Sequence, residues 1–198
     1  MLLKKERIDI LNRKLKERYP DKGIVLGSGD LDSPIMLIGE APGSKEVELG
    51  KPFVGQAGKH LDEFLEILNI RKDDIYITNS VKFRPTKTNP KTGRLSNRPP
   101  TIKEIDDFRD LIYEEVDIIQ PKIIVTLGNT SLKSIFNDNT KIGDVHGKLL
   151  SVEIRSKEYK VFPLYHPAAV IYNRSLKDVY ISDLESLKKE IEKIKKTY

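Results

Sequence analysis

Two short runs, Pro34-Ile35-Met36-Leu37-Ile38 and Lys122-Ile123-Ile124-Val125-Thr126-Leu127, are apolar without alternation. A strand with one wet face alternates. A short strand apolar on both sides is covered on both, as in a parallel sheet sandwiched between helices. Ile75-Tyr76-Ile77 and the stretch from Tyr159 to Tyr165 read as two further strands. The segments between and around them carry helical spacing. Leu3, Ile8, Leu11 and Leu15 define a first helix. Leu61, Phe64, Leu65 and Leu68 share one face over 57–69, as do Ile102, Ile105, Phe108, Ile112 and Val116 over 101–119. A short helix is expected near 129–136 and a long one over 176–196. Strands alternating with helices predict an α/β fold, a three-layer α/β/α arrangement around a central, mostly parallel four-stranded sheet. No repeat or linker interrupts the chain. Its 198 residues suit one core, so residues 1–198 read as a single domain.

Each expected strand ends in a distinctive segment. The four are Gly39-Glu40-Ala41-Pro42-Gly43, Thr78-Asn79-Ser80, Gly128-Asn129-Thr130 and His166-Pro167. Ligands of open parallel sheets bind at the carboxyl ends of the strands, so these segments are expected to meet in one cleft. Taken singly, each has an ordinary use. Gly39–Gly43 is also what a tight strand-to-helix turn needs. Asn79 also suits a bond to its own backbone, and His166 also suits a satisfied core histidine. Glu40 is harder to dismiss, because an acid at a buried strand end needs a partner or a purpose. Phe53, in Gly50-Lys51-Pro52-Phe53-Val54-Gly55, is either a core anchor or a stacking platform for a flat ligand. His60 reads as a surface residue. His146 stays open.

The formal charge is +5, a lean toward a polyanionic partner that alone decides nothing. Its distribution says more. From Lys82 to Lys103 there are seven basic residues (Lys82, Arg84, Lys87, Lys91, Arg94, Arg98, Lys103) and no acid. Pro85, Pro90, Pro99 and Pro100 interrupt the stretch, which therefore reads as a long exposed loop suited to a phosphate backbone. In the C-terminal helix, by contrast, lysines interleave with Glu190 and Glu192 as on a solvated face.

There is no cysteine. Disulfides, thiolate nucleophiles and cysteine-ligated zinc or iron–sulfur sites are excluded. Three histidines make a histidine-rich metal site improbable. No apolar run reaches the roughly 18 residues of a membrane span. The amino terminus turns charged at once and lacks an apolar signal core, so a cytoplasmic protein is expected, with a monomer as the default.

The four segments GEAPGSKEVELGKPFVGQAG, YITNSVKFRP, IIVTLGNTS and YHPAAV, in this order, resemble the uracil-DNA glycosylase superfamily. The likeness covers residues 34–185 and is closest to family 4. It implies a monofunctional DNA-repair enzyme that flips uracil out of DNA and hydrolyses its N-glycosidic bond, leaving an abasic site. It further implies that Phe53 stacks on the base and that Asn79 pairs with its Watson–Crick edge. His166 would donate to the uracil oxygen that gains charge, helped by backbone N–H groups of the Gly39–Ala41 turn. Glu40 would orient water or face the cationic sugar. The best-known branch has an aspartate for water where this chain has Ala41. Lys82, Arg84, Lys87, Arg94 and Arg98 would hold DNA, and Val170, Ile171 and Arg174 would form a wedge entering the gap left by the base.

The chain departs from family 4 in one respect. That family binds an iron–sulfur cluster through four cysteines. Here Phe83 stands in the motif that usually reads VKCRP, and Phe108 lies in the later helix. The cluster is expected to be absent, with the two rings filling its volume. The loop after Pro85 is longer than usual and lacks the histidine that another branch links covalently to uracil. Three alternatives remain: the same reaction on another deaminated base such as hypoxanthine, a non-catalytic DNA- or uracil-binding module, and a nucleotide-binding α/β protein. The last lacks a Gly-rich phosphate loop.

Overall fold

The computed structural model describes residues 3–196, with all their side chains except those of Ile171, Tyr172, Arg174 and Lys195. Along the chain run helix α1 (Lys4–Arg18), strands β1 (Ser28–Gly29) and β2 (Ile35–Gly39), helices α2 (Ser44–Leu49) and α3 (Gln56–Leu68), and strands β3 (Tyr76–Asn79), β4 (Thr86–Thr88) and β5 (Leu95–Asn97). Then come α4 (Ile102–Ile119), β6 (Ile123–Leu127), α5 (Gly128–Ile135), α6 (Ile142–Val145), β7 (Leu150–Ile154), β8 (Lys157–Leu164), α7 (Pro167–Tyr172) and α8 (Lys177–Lys196).

The main sheet has the order β1-β3-β2-β6-β8-β7. The inner four strands are parallel and are the four expected from the sequence. The count is nevertheless corrected to six. Two residues of β1 add antiparallel to β3, and β7 adds antiparallel to β8. β7 caps the edge because the turn at Arg155 and Ser156, both with positive φ, folds the chain back on itself.

Alternation along the inner strands feeds two cores. Ile35, Leu37, Ile77, Ile123 and Val125 pack with Phe64 and Leu65 of α3 and Leu184 and Leu187 of α8. Met36, Ile38, Tyr76 and Ile124 pack with Ile112, Val116 and Ile119 of α4 and Ile135 of α5. Both faces are covered, which is why these strands show no polar period. No described helix is long and apolar enough to cross a membrane.

The basic stretch is not a loop throughout. β4 and β5 pair antiparallel, with Thr86 opposite Asn97 and Thr88 opposite Leu95. At the base of this hairpin, Arg98 grips Glu104 with two bonds of 2.7 Å, while Thr101 and Glu104 cap α4 reciprocally. The fork from Arg98, followed by the cap bonds from Thr101, holds the Glu104 carboxyl down at about 2.

Lys82 lies inside the protein, which corrects the expectation that it meets DNA. It is 1% exposed, sits after β3 between the buried Val81 and Phe83, and lies 2.5 Å from Glu115, itself 2% exposed. Thr78 and Tyr76 complete the group with hydroxyl contacts. Burial pulls the ammonium below its ordinary value while Glu115 beside it opposes the shift. Glu115 held the clue: it stands between Ile112 and Val116 on the apolar face of α4, where an acid requires a cation.

Removing one partner of such a pair strands the other charge. Lys82→Ala is expected to cost about 3–5 kcal/mol, and the double change Lys82→Met with Glu115→Leu much less. Urea unfolding checks this; a Lys82→Ala loss no larger than that of the exposed Lys87→Ala would sink it.

Candidate active site

The inner strand order places a switch point between β2 and β6, since the chain leaves β2 toward β3 and returns on the other side. Glu40 follows β2 and Thr130 lies in α5 after β6. The Thr130 hydroxyl donates to Glu40 Oε2 at 2.8 Å, bridging the switch point. Gly39 and Asn79 are register partners at the ends of β2 and β3. A Cβ on Gly39 would strike the Phe53 ring and Asn79 Oδ1. Only the missing side chain lets the ring and the amide stand side by side.

Phe53 holds an αL conformation with φ 54°. Its carbonyl accepts from Lys72 Nζ at 2.6 Å, and a Cβ on Gly58 would collide with that same oxygen. The two alternatives for Phe53 prove compatible: the ring is buried in the α3 core and lines the cavity. Glu46, buried on α2, accepts from the Gly43 and Gly55 N–H groups at 3.1 and 2.7 Å, tying both ends of this wall together.

His166 is the N-cap of α7. Its Nδ1 accepts from the Ala168 N–H at 3.2 Å, which puts the neutral ring's proton on Nε2. Burial, and then the nearby His60, hold the ring's pKa below its usual value.

These groups line one cavity of about 510 Å³, with Glu40, Ala41, Phe53, Asn79 and His166 around it. That size suits a small planar ligand. The set expected from the sequence supplies five residues of this lining, with Gly39 beneath them.

It missed others. His60, read as surface, lines the cavity with its side chain 17% exposed. Its position three residues after Ala57 and four before Phe64 already put it on the buried stripe of α3. Glu46 and Asn97 line the cavity too. Glu46 was readable as the capping acid three residues after Gly43; Asn97 was not, because its place depends on the hairpin register. Arg84 donates to Asn97 Oδ1 at 2.7 Å. Arg98 is committed to Glu104, so it holds the hairpin rather than standing free for phosphate. Lys87, Lys91 and Arg94 are exposed, with no ion pair to a described acid. His146 pairs with Asp183 at 2.7 Å and lies on Tyr165. Val170 packs half-buried against the α3–α8 core; the side chains of Ile171 and Arg174 lie outside the described residues.

The residues present do not fit an iron–sulfur cluster. The chain supplies no thiolate, and the described residues hold no His, Asp or Glu group able to bind a metal. Phe83 and Phe108 pack with ring centroids 5.8 Å apart, and Tyr19 stacks on Phe108 at 4.9 Å, in a core completed by Leu15, Val81 and Ile105.

An aromatic wall, an amide, an imidazole and a carboxylate thus meet in one cavity at a switch point. The profile of the uracil DNA glycosylase superfamily matches residues 26–193. The type-4 uracil-DNA glycosylase of Archaeoglobus fulgidus is 40% identical over 167 residues, 82% of this chain and 79% of that protein. The Sulfurisphaera tokodaii enzyme of the same description is 41% identical over 169 residues, covering 83% and 73%. That of Thermotoga maritima is 33% identical over 201 residues, 98% and 99% of the two chains. This chain belongs to the uracil DNA glycosylase superfamily.

The depressed pKa has a measurable sign. His166 should stay neutral as pH falls past the usual 6.5, gaining its proton only at lower pH. His60→Leu removes a like charge and should move the transition upward. Nitrogen-15 NMR titration of the ring reads both; a His166 transition at or above the usual imidazole value contradicts the assignment.

Proposed function

We propose that this protein is a uracil-DNA glycosylase that takes an extrahelical uracil into the cavity and hydrolyses its bond to deoxyribose. The observation that carries the reading is the convergence of Glu40, Phe53, Asn79 and His166 in one cavity of a superfamily member. Phe53 stacks on the base. The Asn79 amide offers an acceptor to N3–H and a donor to O4, a pattern that cytosine reverses. As the C1′–N1 bond breaks, its electron pair passes to the base and charge collects on O2. His166 Nε2–H donates to that oxygen, with backbone N–H groups around Gly39 and Ala41 as further donors. Because the ring enters neutral, it stabilises the leaving anion without first protonating it. Glu40, held by Thr130, faces the cationic sugar and orients the water whose oxygen bonds to C1′; the proton that water loses ends on the uracil anion. No step needs a metal-bound group. A single domain acting as a monomer is part of the same reading.

DNA is held outside the pocket by the exposed Lys87, Lys91 and Arg94 of the hairpin, with Arg84 bracing Asn97 beneath them. The partner is uracil-containing DNA.

Single-turnover assays on a uracil oligonucleotide, with alkali cleavage of abasic sites, test the chemistry. Glu40→Gln and His166→Ala should each lose roughly 10²–10³ in rate; unchanged turnover in both, or no abasic site with wild-type protein, rejects the roles or the reading. Replacing Lys87, Lys91 and Arg94 together by Ala should leave the saturated rate intact. The slope of log affinity against log salt should become shallower by about 0.9 per lost phosphate contact. An unchanged slope removes the hairpin from the interface.

A further inference from the structure

The Gly39 carbonyl, at the end of β2, is bonded twice by one residue. It accepts from the Ser80 N–H at 2.9 Å and from the Ser80 hydroxyl at 2.9 Å. The next carbonyl, that of Glu40, accepts from the Val81 N–H at 3.1 Å. Two successive peptides are thus anchored by their oxygens to the segment that follows β3. Both are trans, so each N–H points opposite to its C=O. The N–H groups of Glu40 and Ala41 therefore turn together away from that segment. Among the described residues neither N–H has a hydrogen-bond acceptor, although both residues are half-buried and line the cavity. Successive N–H groups left open in this way form a concavity for an anionic oxygen, and a half-buried donor calls for an acceptor.

We propose that the Ser80 hydroxyl is a positioning residue for excision: it fixes and polarises the Gly39–Glu40 peptide so that Glu40 and Ala41 present paired N–H donors to the uracil oxygen that becomes charged. The inference rests on the glycosylase reading and adds to it a side chain that never touches the base. Ser80 is fully buried. The backbone already satisfies the Gly39 carbonyl, so the sheet does not need the hydroxyl. The other acceptor within its reach, Ser134 Oγ, is farther at 3.1 Å and itself donates to Ser131 O at 2.8 Å. The nearer bond is the one to Gly39. A second donor on a carbonyl draws charge through the peptide resonance and strengthens the N–H at its far end. The gain is largest when the accepting oxygen is anionic, so Ser80 acts on the transition state rather than on bound substrate.

The test compares saturated single-turnover uracil release by the full chain, Ser80→Ala and Ser134→Ala, with affinity for the uracil oligonucleotide measured in parallel. Nitrogen-15-labelled uracil bound to each protein is titrated by NMR to read ionisation at N1. Ser80→Ala weakens two donors without removing them, so release should slow about tenfold, less than the loss of a whole donor. Affinity for the oligonucleotide should stay within about twofold. Ionisation of the bound uracil should move up by about one pH unit, the same tenfold seen at equilibrium. Ser134→Ala deletes a neighbouring buried hydroxyl that does not touch Gly39, and each measure should stay within about twofold of wild type. A Ser80→Ala rate equal to wild type, an equal loss in Ser134→Ala, or a slower rate with the ionisation unmoved overturns the proposal. If wild-type protein binds uracil but releases none from DNA, the glycosylase reading fails and the ionisation shift alone decides the role of Ser80. A protein that does not bind uracil sinks both.

Discussion

Both faces of the parallel strands are buried, and this governs where chemistry can reside. Flanking helices leave no polar position along β2, β3 or β6 that water can reach, and β8 is exposed only in its first half, so reactive groups are confined to the carboxyl ends. Gly39 closes the arrangement. Any side chain there would separate Phe53 from Asn79, and the cavity would lose its aromatic wall or its amide. The switch point adds the carboxylate, and the N-cap of α7 adds the imidazole.

The region around α4 shows how the chain holds itself together without thiolates. On one side Phe83, Phe108 and Tyr19 pack as an aromatic cluster; on the other, Lys82 and Glu115 form a buried pair with Thr78 and Tyr76. The first contributes through area removed from water. The second contributes little net energy, since two desolvated charges roughly offset their attraction, but it ties the segment after β3 to α4 in one register. Asn79 immediately precedes that segment and the basic hairpin follows it, so the pair fixes where both stand.

Much of this was legible in the sequence. The inner strands and long helices followed from apolar runs and helical spacing; Glu40, Asn79 and His166 stood out at strand ends, and Phe53 in a Gly-rich loop. The misreadings have physical causes. The edge strand β1 is only two exposed residues and β7 alternates between part-buried and exposed along most of its length, so neither carries a continuous apolar signal. Lys82 looked like a surface cation because its partner lies 33 residues away on another element. Arg98 looked free because the cap of α4 that claims it is formed by side chains. Whether His60 faced solvent depended on a stripe one residue wider than its leucines suggest.

The bond from the Ala168 N–H to His166 Nδ1 joins two matters usually kept apart. It satisfies an orphan donor at the start of a helix, and it dictates which nitrogen of the ring carries the proton. The tautomer is thus written by backbone geometry. Fraying of the first turn of α7 would free Nδ1 to hold the proton instead, turning a donor into an acceptor with every catalytic side chain still present. On the proposed mechanism, loss of activity on heating would follow the melting of that single helical turn, ahead of the sheet and the cores.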